Sequence, residues 1–214
     1  MHIELRLEEP GDFRRVEEIT REAFWNLHVP GCQEHFLAHQ LRQSRDFIAE
    51  LDMVALVDGE LVGNIMYTHA EIRQGEAVAG KVVCFGPVSV LPEWQGKGIG
   101  GALIRRTLAE AARMGFGAVL IYGDPAYYQR FGFRATRAFG ITTPDGRFVD
   151  PLMGLELREG ALAGITGSFH ESQDYEMDPA AFEVFERGFP PKVKAVTESQ
   201  KRFAELIASG SASS

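Results

Sequence analysis

The chain has 214 residues, of which 45% are hydrophobic and 24% are charged. These values are typical of an ordinary globular protein, and the length suits one domain with an appendage. The formal net charge of -8 at pH 7 argues against non-specific nucleic-acid binding, because such binding depends on Lys and Arg that neutralise phosphates.

The hydropathy and cysteine patterns predict a cytoplasmic protein with no membrane partner. No apolar run approaches the ~20 residues that a membrane span needs. The first residues alternate as a strand does, in place of the apolar stretch of a signal peptide. Cys32 and Cys84 lie far apart with no C-x-x-C spacing, which favours a reducing compartment over a disulfide scaffold.

The first 90 residues predict a strand, two helices and a meander of three strands. Pro30-Gly31 separates the two helices, whereas Asp58-Gly59 and Gln74-Gly75 are turn signals between the strands of the meander. Gly86-Pro87 is expected to break the last strand. Because tight turns join antiparallel strands, the meander is expected to be antiparallel. The predicted elements are a strand over 3–7, helices over 13–24 and 32–43, and strands over 53–57, 61–72 and 78–90.

The rest of the chain predicts helices that alternate with strands. The apolar run 118–122 is typical of the buried centre of a sheet that helices cover. The predicted class is α+β, with a mixed, mainly antiparallel sheet flanked by helices over residues 1–160 and a C-terminal extension over 161–214. The Ser-rich tail 209–214 is expected to be disordered. The predicted elements are a helix to about 114, a strand over 118–122, a short helix over 125–131, strands from 133 and over 152–157, a helix capped by Asp178, and a helix over 197–208.

A glycine-rich turn precedes the helix that ends near residue 114. Gly96, Gly98 and Gly100 allow consecutive backbone N–H groups to approach an anion. The helix that begins there adds the positive end of its dipole. This turn therefore predicts phosphate binding.

The same turn also satisfies the dinucleotide-binding pattern G-x-G-x-x-G, with Asp124 near the ribose-binding spacing. Two features disfavour that alternative. Residues 91–95 separate the preceding strand from the first glycine, and the earlier strands form a meander, whereas a dinucleotide fold begins as a βαβ series. A dinucleotide-dependent oxidoreductase remains a third hypothesis.

Two motifs carry a resemblance to a known family. The segment 88–100, VSVLPEWQGKGIG, resembles motif A of the GNAT acetyltransferase superfamily, whose core is Q/R-x-x-G-x-G/A. The segment 123–133, GDPAYYQRFGF, resembles motif B of that family. The resemblance covers about residues 1–157, and it is strongest to bacterial N-acetyltransferases with no assigned acceptor.

The resemblance implies acetyl-CoA as co-substrate, bound where two parallel strands, 82–90 and 118–122, move apart. Val88, Ser89 and Val90 would then line the pantetheine arm, and the Val88 N–H would polarise the thioester carbonyl. The residues implied to hold the pyrophosphate are Gln95, Gly96, Lys97, Gly98, Ile99, Gly100 and Gly101.

The resemblance also implies that Tyr128 is the general acid that protonates the departing thiolate. The general base is open, because Cys84 occupies the place of a glutamate that one branch of the family uses. His69, Glu71 and Glu93 are the candidates from the sequence, and a non-catalytic acyl-CoA-binding module is the second hypothesis.

The expected reaction is direct transfer of acetyl to a primary amine of a small molecule or peptide in a ternary complex. A homodimer is left open. His28, Cys32, His35 and His39 recur at spacings of four, three and four, which is compatible with zinc. Because Pro30-Gly31 interrupts this series, no metal is assigned, and contact with the acceptor is the preferred role for His28 or His35.

Overall fold

The computed structural model describes residues 2–208 and 211–212. The helices are α1 (Phe13–Phe24), α2 (Glu34–Leu41), α3 (Ile99–Arg113), α4 (Pro125–Tyr128), α5 (Pro179–Glu186) and α6 (Glu198–Ala208). The strands are β1 (Ile3–Leu7), β2 (Met53–Val57), β3 (Glu60–Gln74), β4 (Ala77–Val90), β5 (Ala118–Tyr122), β6 (Arg134–Ala135), β7 (Ile141–Thr142), β8 (Arg147–Phe148), β9 (Leu152–Glu156), β10 (Gly167–His170) and β11 (Ser211–Ala212). Within the described residues, no helix combines the length and apolar character that a membrane span requires.

The main sheet has the strand order β1-β2-β3-β4-β5-β9-β6, and β10 pairs with both β3 and β7. Pairing is antiparallel for β1 with β2, β2 with β3, β5 with β9, β6 with β9, and β10 with β3. It is parallel for β4 with β5 and for β10 with β7. The predicted α+β class, with a mixed and mainly antiparallel sheet, is confirmed.

The chain forms two compact units that interleave along the sequence. The first unit comprises Met1–Tyr67, Gly86–Thr107 and Gln173–Lys201, and the second comprises Thr68–Phe85, Leu108–Ser172 and Arg202–Ser214. The domain boundary after residue 160 stays a prediction. In the predicted disordered tail, Ser211–Ala212 pairs with β8, while 209–210 and 213–214 lie outside the described residues.

The first unit contains the helices α1 and α2. Leu37, Ala38 and Leu41 of α2 form one buried cluster with Met66 of β3. The turn at Asp58-Gly59 has positive φ at both residues, 51° and 86°, as a type I′ hairpin requires. The predicted hairpin between β2 and β3 therefore forms.

The second unit has β5 at its centre. Residues 118–121 are buried, and β5 pairs with β9 along its whole length, from Ala118 opposite Glu156 to Tyr122 opposite Leu152. Asp124 then caps α4 by accepting a hydrogen bond from the Ala126 N–H at 2.9 Å, with Pro125 at the first helical position. The position of Pro125 confirms the sequence expectation, since Pro has no N–H to leave unpaired in the first turn. The cap by Asp124 was not predicted.

Two elements differ from the sequence expectation. β4 continues through Gly86-Pro87, a cis peptide bond, although a break was expected there. A proline is tolerated in a strand at a position where the hydrogen bonds to the next strand need no N–H. β4 pairs with β5 at one position, Val83 opposite Val119, which comes before the proline. The pattern of residues 167–170 is too short and irregular to predict a strand, yet β10 pairs there with β3 and β7.

A cluster of charged groups is buried in the first unit. Arg42 donates to both oxygens of Glu8 at 2.7 and 2.8 Å and to Glu17 at 3.1 Å. Asp52 is 4% exposed. Burial, together with a hydrogen bond to Glu8 and its negative charge, raises the pKa of Asp52 well above its ordinary value. The folded chain therefore holds a proton on Asp52 at neutral pH.

Replacing Asp52 by Asn should flatten the dependence of stability on pH. The native state keeps a proton that the unfolded chain loses above pH 3.8. This group therefore lowers the free energy of unfolding as pH rises through that window, by up to about 1.4 kcal/mol per pH unit. Urea unfolding of Asp52→Asn between about pH 5 and pH 8 should show a smaller decline than the wild type. The exposed Glu50→Gln should keep the wild-type slope, and equal slopes for Asp52→Asn and the wild type would contradict the assignment.

Candidate active site

The glycine turn leads directly into α3 in the first unit. Gly96 and Gly98 have φ of 73° and 87°, and a Cβ at either position would meet no atom within 4 Å. The glycines are therefore required by backbone conformation and not by lack of space. The first helical bond runs from the Ala102 N–H to the Gly98 carbonyl at 2.9 Å. The N–H groups of the first turn have no carbonyl within the helix to accept a hydrogen bond from them, so they point out of the helix end.

Side chains around this turn hold its shape and add positive charge. Gln95 donates to the Val90 carbonyl at 3.0 Å, which ties the turn to the end of β4. The Lys97 ammonium lies 4.4 Å from the centre of the Trp94 ring. The Arg105 guanidinium lies close enough to the first turn that a Cβ at Gly101 would be 3.2 Å from it. Arg105 was not predicted from the sequence, although its place one turn after Gly101 could have indicated it.

The three residues of β4 that are predicted to line the pantetheine arm lie on two faces of the strand. Val88 and Val90 are half-buried, whereas Ser89 is 1% exposed. The Ser89 hydroxyl donates to Thr20 of α1 at 3.1 Å, and Thr20 lies 3.3 Å from the Asn64 oxygen. The Ser89 side chain thus serves the core of the first unit, and only its backbone remains for a ligand.

In the second unit, β4 and β5 share one paired position. Val83 lies opposite Val119, and β5 then continues to Tyr122 paired with β9 alone. Cys84 follows Val83 and is 2% exposed. Its thiol donates to a Glu171 carboxylate oxygen at 3.6 Å. The parting of two parallel strands at this point fits the arrangement that the family resemblance implies.

Tyr128 lies at the end of α4 in the same unit. Its ring is 5.8 Å from the rings of Phe85 and Phe133. A Cβ at position 123 would overlap the Tyr128 ring. The ring can therefore take this position only because the residue that follows β5 is glycine. Burial and then the neighbouring Tyr127 and Cys84 raise the pKa of Tyr128 above its ordinary value. The phenol is therefore protonated at neutral pH, so it can supply a proton but cannot act as a base.

The residues considered as bases lie in different surroundings. His69 is exposed, with its ring 5.7 Å from Phe116. Glu71 accepts a hydrogen bond from Arg73 at 3.0 Å, and Glu93 is exposed before the glycine turn. Glu171, which the sequence did not single out, is the carboxylate beside Cys84; burial raises its pKa to about 7 against the lowering effect of the thiol.

From the series of histidines and Cys32, His35 and His39 pack against the C-terminal segment in the first unit. His35 is fully buried, with Nε2 at 2.7 Å from Glu186 and Nδ1 at 3.5 Å from the Cys32 sulfur. Burial lowers the pKa of His35, so it is neutral. The predicted contact of His35 with the acceptor is wrong, because both ring nitrogens are occupied inside the fold. No group of three or more potential metal ligands occurs among the described residues.

Comparisons of the sequence identify relatives. The model of the acetyltransferase (GNAT) domain matches residues 45–135. The chain is 30% identical over 132 residues to the uncharacterized N-acetyltransferase YjhQ of Escherichia coli strain K12, covering 62% of this chain and 70% of YjhQ. It is 28% identical over 170 residues to the uncharacterized N-acetyltransferase YhbS of the same strain, covering 78% of this chain and 96% of YhbS.

Solved structures agree with the sequence relatives. A GNAT family acetyltransferase from Brucella melitensis, crystallised with acetyl-CoA, has a TM-score of 0.66 and 29% identity, over 82% of this chain and 99% of that one. The Escherichia coli YhbS structure in complex with CoA has a TM-score of 0.71 over 82% of this chain and 92% of that one. At 24% identity, this second likeness bears on the fold alone.

The parallel pairing of β4 with β5 in a mixed sheet, and the glycine turn that opens α3, agree with what the family resemblance implies for an acyltransferase. Together with its relatives, these features show that the chain belongs to the GNAT acetyltransferase family. The predicted family and enzyme class are confirmed. Family membership sets aside the oxidoreductase hypothesis, while the individual site residues stay predictions.

Removing the charge of Glu186 should destabilise the first unit. The Arg21 side chain is 3% exposed and forms an ion pair with Glu186. Burial raises the pKa of Glu186, but the hydrogen bonds from Arg21 and His35 outweigh it and hold the pKa below its usual range. We expect Glu186→Gln to lower the free energy of unfolding by about 2–3 kcal/mol at neutral pH, because Arg21 loses its countercharge.

The loss should begin to shrink below about pH 4, where the unfolded wild-type chain takes up a proton on this carboxylate, and should disappear below the lowered pKa of Glu186 in the folded chain. Chemical denaturation at the two pH values measures both effects. Glu183→Gln, on the exposed side of the same helix, is the matched control and should be neutral. A Glu186→Gln variant as stable as this control would show that the buried ion pair contributes nothing.

Proposed function

We propose that this chain transfers the acetyl group of acetyl-CoA to a primary amine of a small molecule or peptide, by direct attack in a ternary complex. The observation that carries the proposal is the glycine turn at the start of α3, with left-handed Gly96 and Gly98. A phosphate group at a helix N-terminus is stabilised by the free N–H groups and the helix dipole. The acetyl-CoA complex of the Brucella relative supports the same donor.

Donor binding is assigned to two segments of the first unit. Backbone amides from Gln95 to Gly101 hold the pyrophosphate, with positive charge from Lys97 and Arg105 nearby. Val88, Ser89 and Val90 present backbone groups to the pantetheine arm. A Val88 N–H aimed at the thioester oxygen would stabilise the oxyanion that forms as the amine attacks.

We assign Tyr128 the role of proton donor to the departing sulfur. A thiol has a reference pKa near ~8.5 and a phenol near ~10. Because burial raises the pKa of Tyr128 further, complete proton transfer before C–S cleavage would be unfavourable. We therefore expect Tyr128 to hydrogen-bond the sulfur and to pass its proton as negative charge develops there.

Replacing Gly98 by Ala should weaken donor binding. An L-residue in the left-handed region costs about 1–2 kcal/mol, and relief of that strain would turn the N–H groups away from the phosphates. We expect acetyl-CoA affinity to fall about 10-fold by calorimetry, which is equivalent to about 1.4 kcal/mol. Gly115→Ala is the matched control, because Gly115 has a φ of 90° against 87° for Gly98 and a Cβ at either residue would meet no atom within 4 Å. Both variants should lose similar stability, and unchanged affinity for Gly98→Ala would remove the turn from the binding site.

Replacing Tyr128 by Phe should slow turnover without weakening donor binding. Release of the CoA thiol across a panel of primary amines measures both the acceptor range and the rate. On any amine that the wild type acetylates, we expect kcat to fall about 10²-fold, with acetyl-CoA affinity unchanged. Tyr127→Phe alters the neighbouring ring, 5.0 Å away, and should retain activity. Normal turnover by Tyr128→Phe would refute the assignment, and donor binding without release for any amine would favour a non-catalytic acyl-CoA-binding module.

A further inference from the structure

We propose that Glu171 is a catalytic residue that accepts the proton of the amine, because its carboxylate ends beside Cys84, where β4 leaves β5. The proposal rests on the acetyl transfer proposed above. It assigns a role to the C-terminal part of the chain, since Glu171 lies outside the matched residues 45–135.

Strand pairing fixes the place of Glu171 in the second unit. β10 pairs antiparallel with β3, with Phe169 opposite Ile72 and His170 opposite Glu71. Glu171 follows immediately and reaches β4, where one carboxylate oxygen lies 3.6 Å from the Cys84 sulfur. Cys84 comes directly after Val83, the residue of β4 that pairs with β5. The carboxylate therefore lies at the opening of the parallel pair.

The surroundings of Glu171 favour proton transfer over an ion pair. Cys84 approaches it from β4 with a weak thiol donor. On β5, Tyr122 has its ring 5.9 Å from that of Phe169, which is 1% exposed. The pKa of Tyr122 is raised by burial and then by the charge of Glu171, so this phenol stays neutral beside the carboxylate.

The charged and titratable groups on the neighbouring strands have partners on their own strands. On β3, Glu71 and Arg73 pair at 3.0 Å, and on β10 the His170 Nε2 lies 2.8 Å from the Ser168 hydroxyl. Burial, and then Arg73, lower the pKa of His170, so it adds no positive charge at neutral pH. Burial consequently dominates at Glu171 and raises its pKa to about 7, against the lowering effect of the Cys84 thiol.

Cys84 connects the proposed base to the proposed acid. The Cys84 thiol donates to Glu171, and its charge is one of the influences on the pKa of Tyr128. The two groups therefore share one neighbour within the second unit. A base for the amine and an acid for the sulfur are the two functions that amine acetylation requires. Burial raises the pKa of both groups, which makes Glu171 a better proton acceptor and keeps Tyr128 protonated.

The proton balance of the step is as follows. The ammonium gives one proton to the Glu171 carboxylate and becomes a neutral amine. Its nitrogen forms the C–N bond to the thioester carbon, and the C–S bond breaks with its electron pair left on sulfur. Sulfur takes a proton from Tyr128, and the second nitrogen proton replaces it on Tyr128 as the amide forms. Glu171 then releases its proton to water, so that one ammonium and one acetyl thioester give one amide, one thiol and one proton.

The test compares Glu171→Gln with the wild type on two probes, the fastest primary alkylamine and the fastest arylamine of the amine panel. An alkylamine with a pKa near ~10.4 must lose a proton before attack, whereas an arylamine is already neutral at pH 7. We expect kcat/KM to fall about 10²-fold for the alkylamine and less than about 3-fold for the arylamine. The rising limb of the wild-type pH profile, near pH 7, should be absent from the variant.

Three controls separate catalysis from structure. Glu159→Gln makes the same change at an exposed position of the second unit and should leave the pH profile unchanged. Cys84→Ala removes the hydrogen bond that lowers the pKa of Glu171, and it should move the rising limb to higher pH without abolishing it. Acetyl-CoA affinity of Glu171→Gln should match the wild type, and so should its thermal unfolding below about pH 4, where the wild-type carboxyl group is protonated as well.

The outcomes distinguish this inference from the proposed function. Equal losses for both amines, or a rising limb retained in Glu171→Gln, would overturn the role of Glu171 while acetyl transfer stands. Wild-type chain that binds no acetyl-CoA, or that releases no thiol with any amine of the panel, would overturn the proposed function itself. Direct titration of the carboxylates by carbon-13 NMR gives a readout independent of turnover, and a glutamate that titrates near pH 7 should be missing from the Glu171→Gln spectrum.

Discussion

The parting of β4 from β5 is the constraint on which the rest of the structure depends. Parallel strands normally share evenly spaced hydrogen bonds along their length, yet these two share one position, Val83 opposite Val119. β5 compensates by pairing with β9 over all of its residues. Beyond Val83 the two strands diverge, as the family resemblance implies for the donor site.

Much of the fold and the donor-binding segment could be predicted from the sequence because local rules decide them. The Asp58-Gly59 hairpin, Pro125 in the first turn of α4, and the left-handed glycines of the turn each follow from the conformational range of one or two residues. Such signals can be interpreted without knowledge of the rest of the chain. They fixed the strand order of the meander and the start of α3.

The remaining features could not be predicted, because they depend on residues that are distant in sequence. Glu171 meets Cys84 across 87 positions, and β10, which brings it there, has no periodicity of its own. Likewise, His28 or His35 was expected to contact the acceptor, but the partner of His35 is Glu186, which lies 151 positions away in the sequence. Periodicity indicates which face of an element is buried, and it carries no information about which buried partner that face will meet.

The energetics of amine acetylation explain why a carboxylate in these surroundings is more useful than an ordinary one. An amine of pKa near ~10.4 is neutral about once in ~2,500 molecules at pH 7, which costs roughly 4.6 kcal/mol. A carboxylate of ordinary pKa near ~4.3 is fully charged but holds a proton poorly, so the transfer to it is steeply uphill. Burial of Glu171 beside a thiol, which stabilises its charge only weakly, brings its pKa to about 7. The transfer then becomes several pKa units less unfavourable, while about half of the carboxylates remain charged and ready to accept a proton.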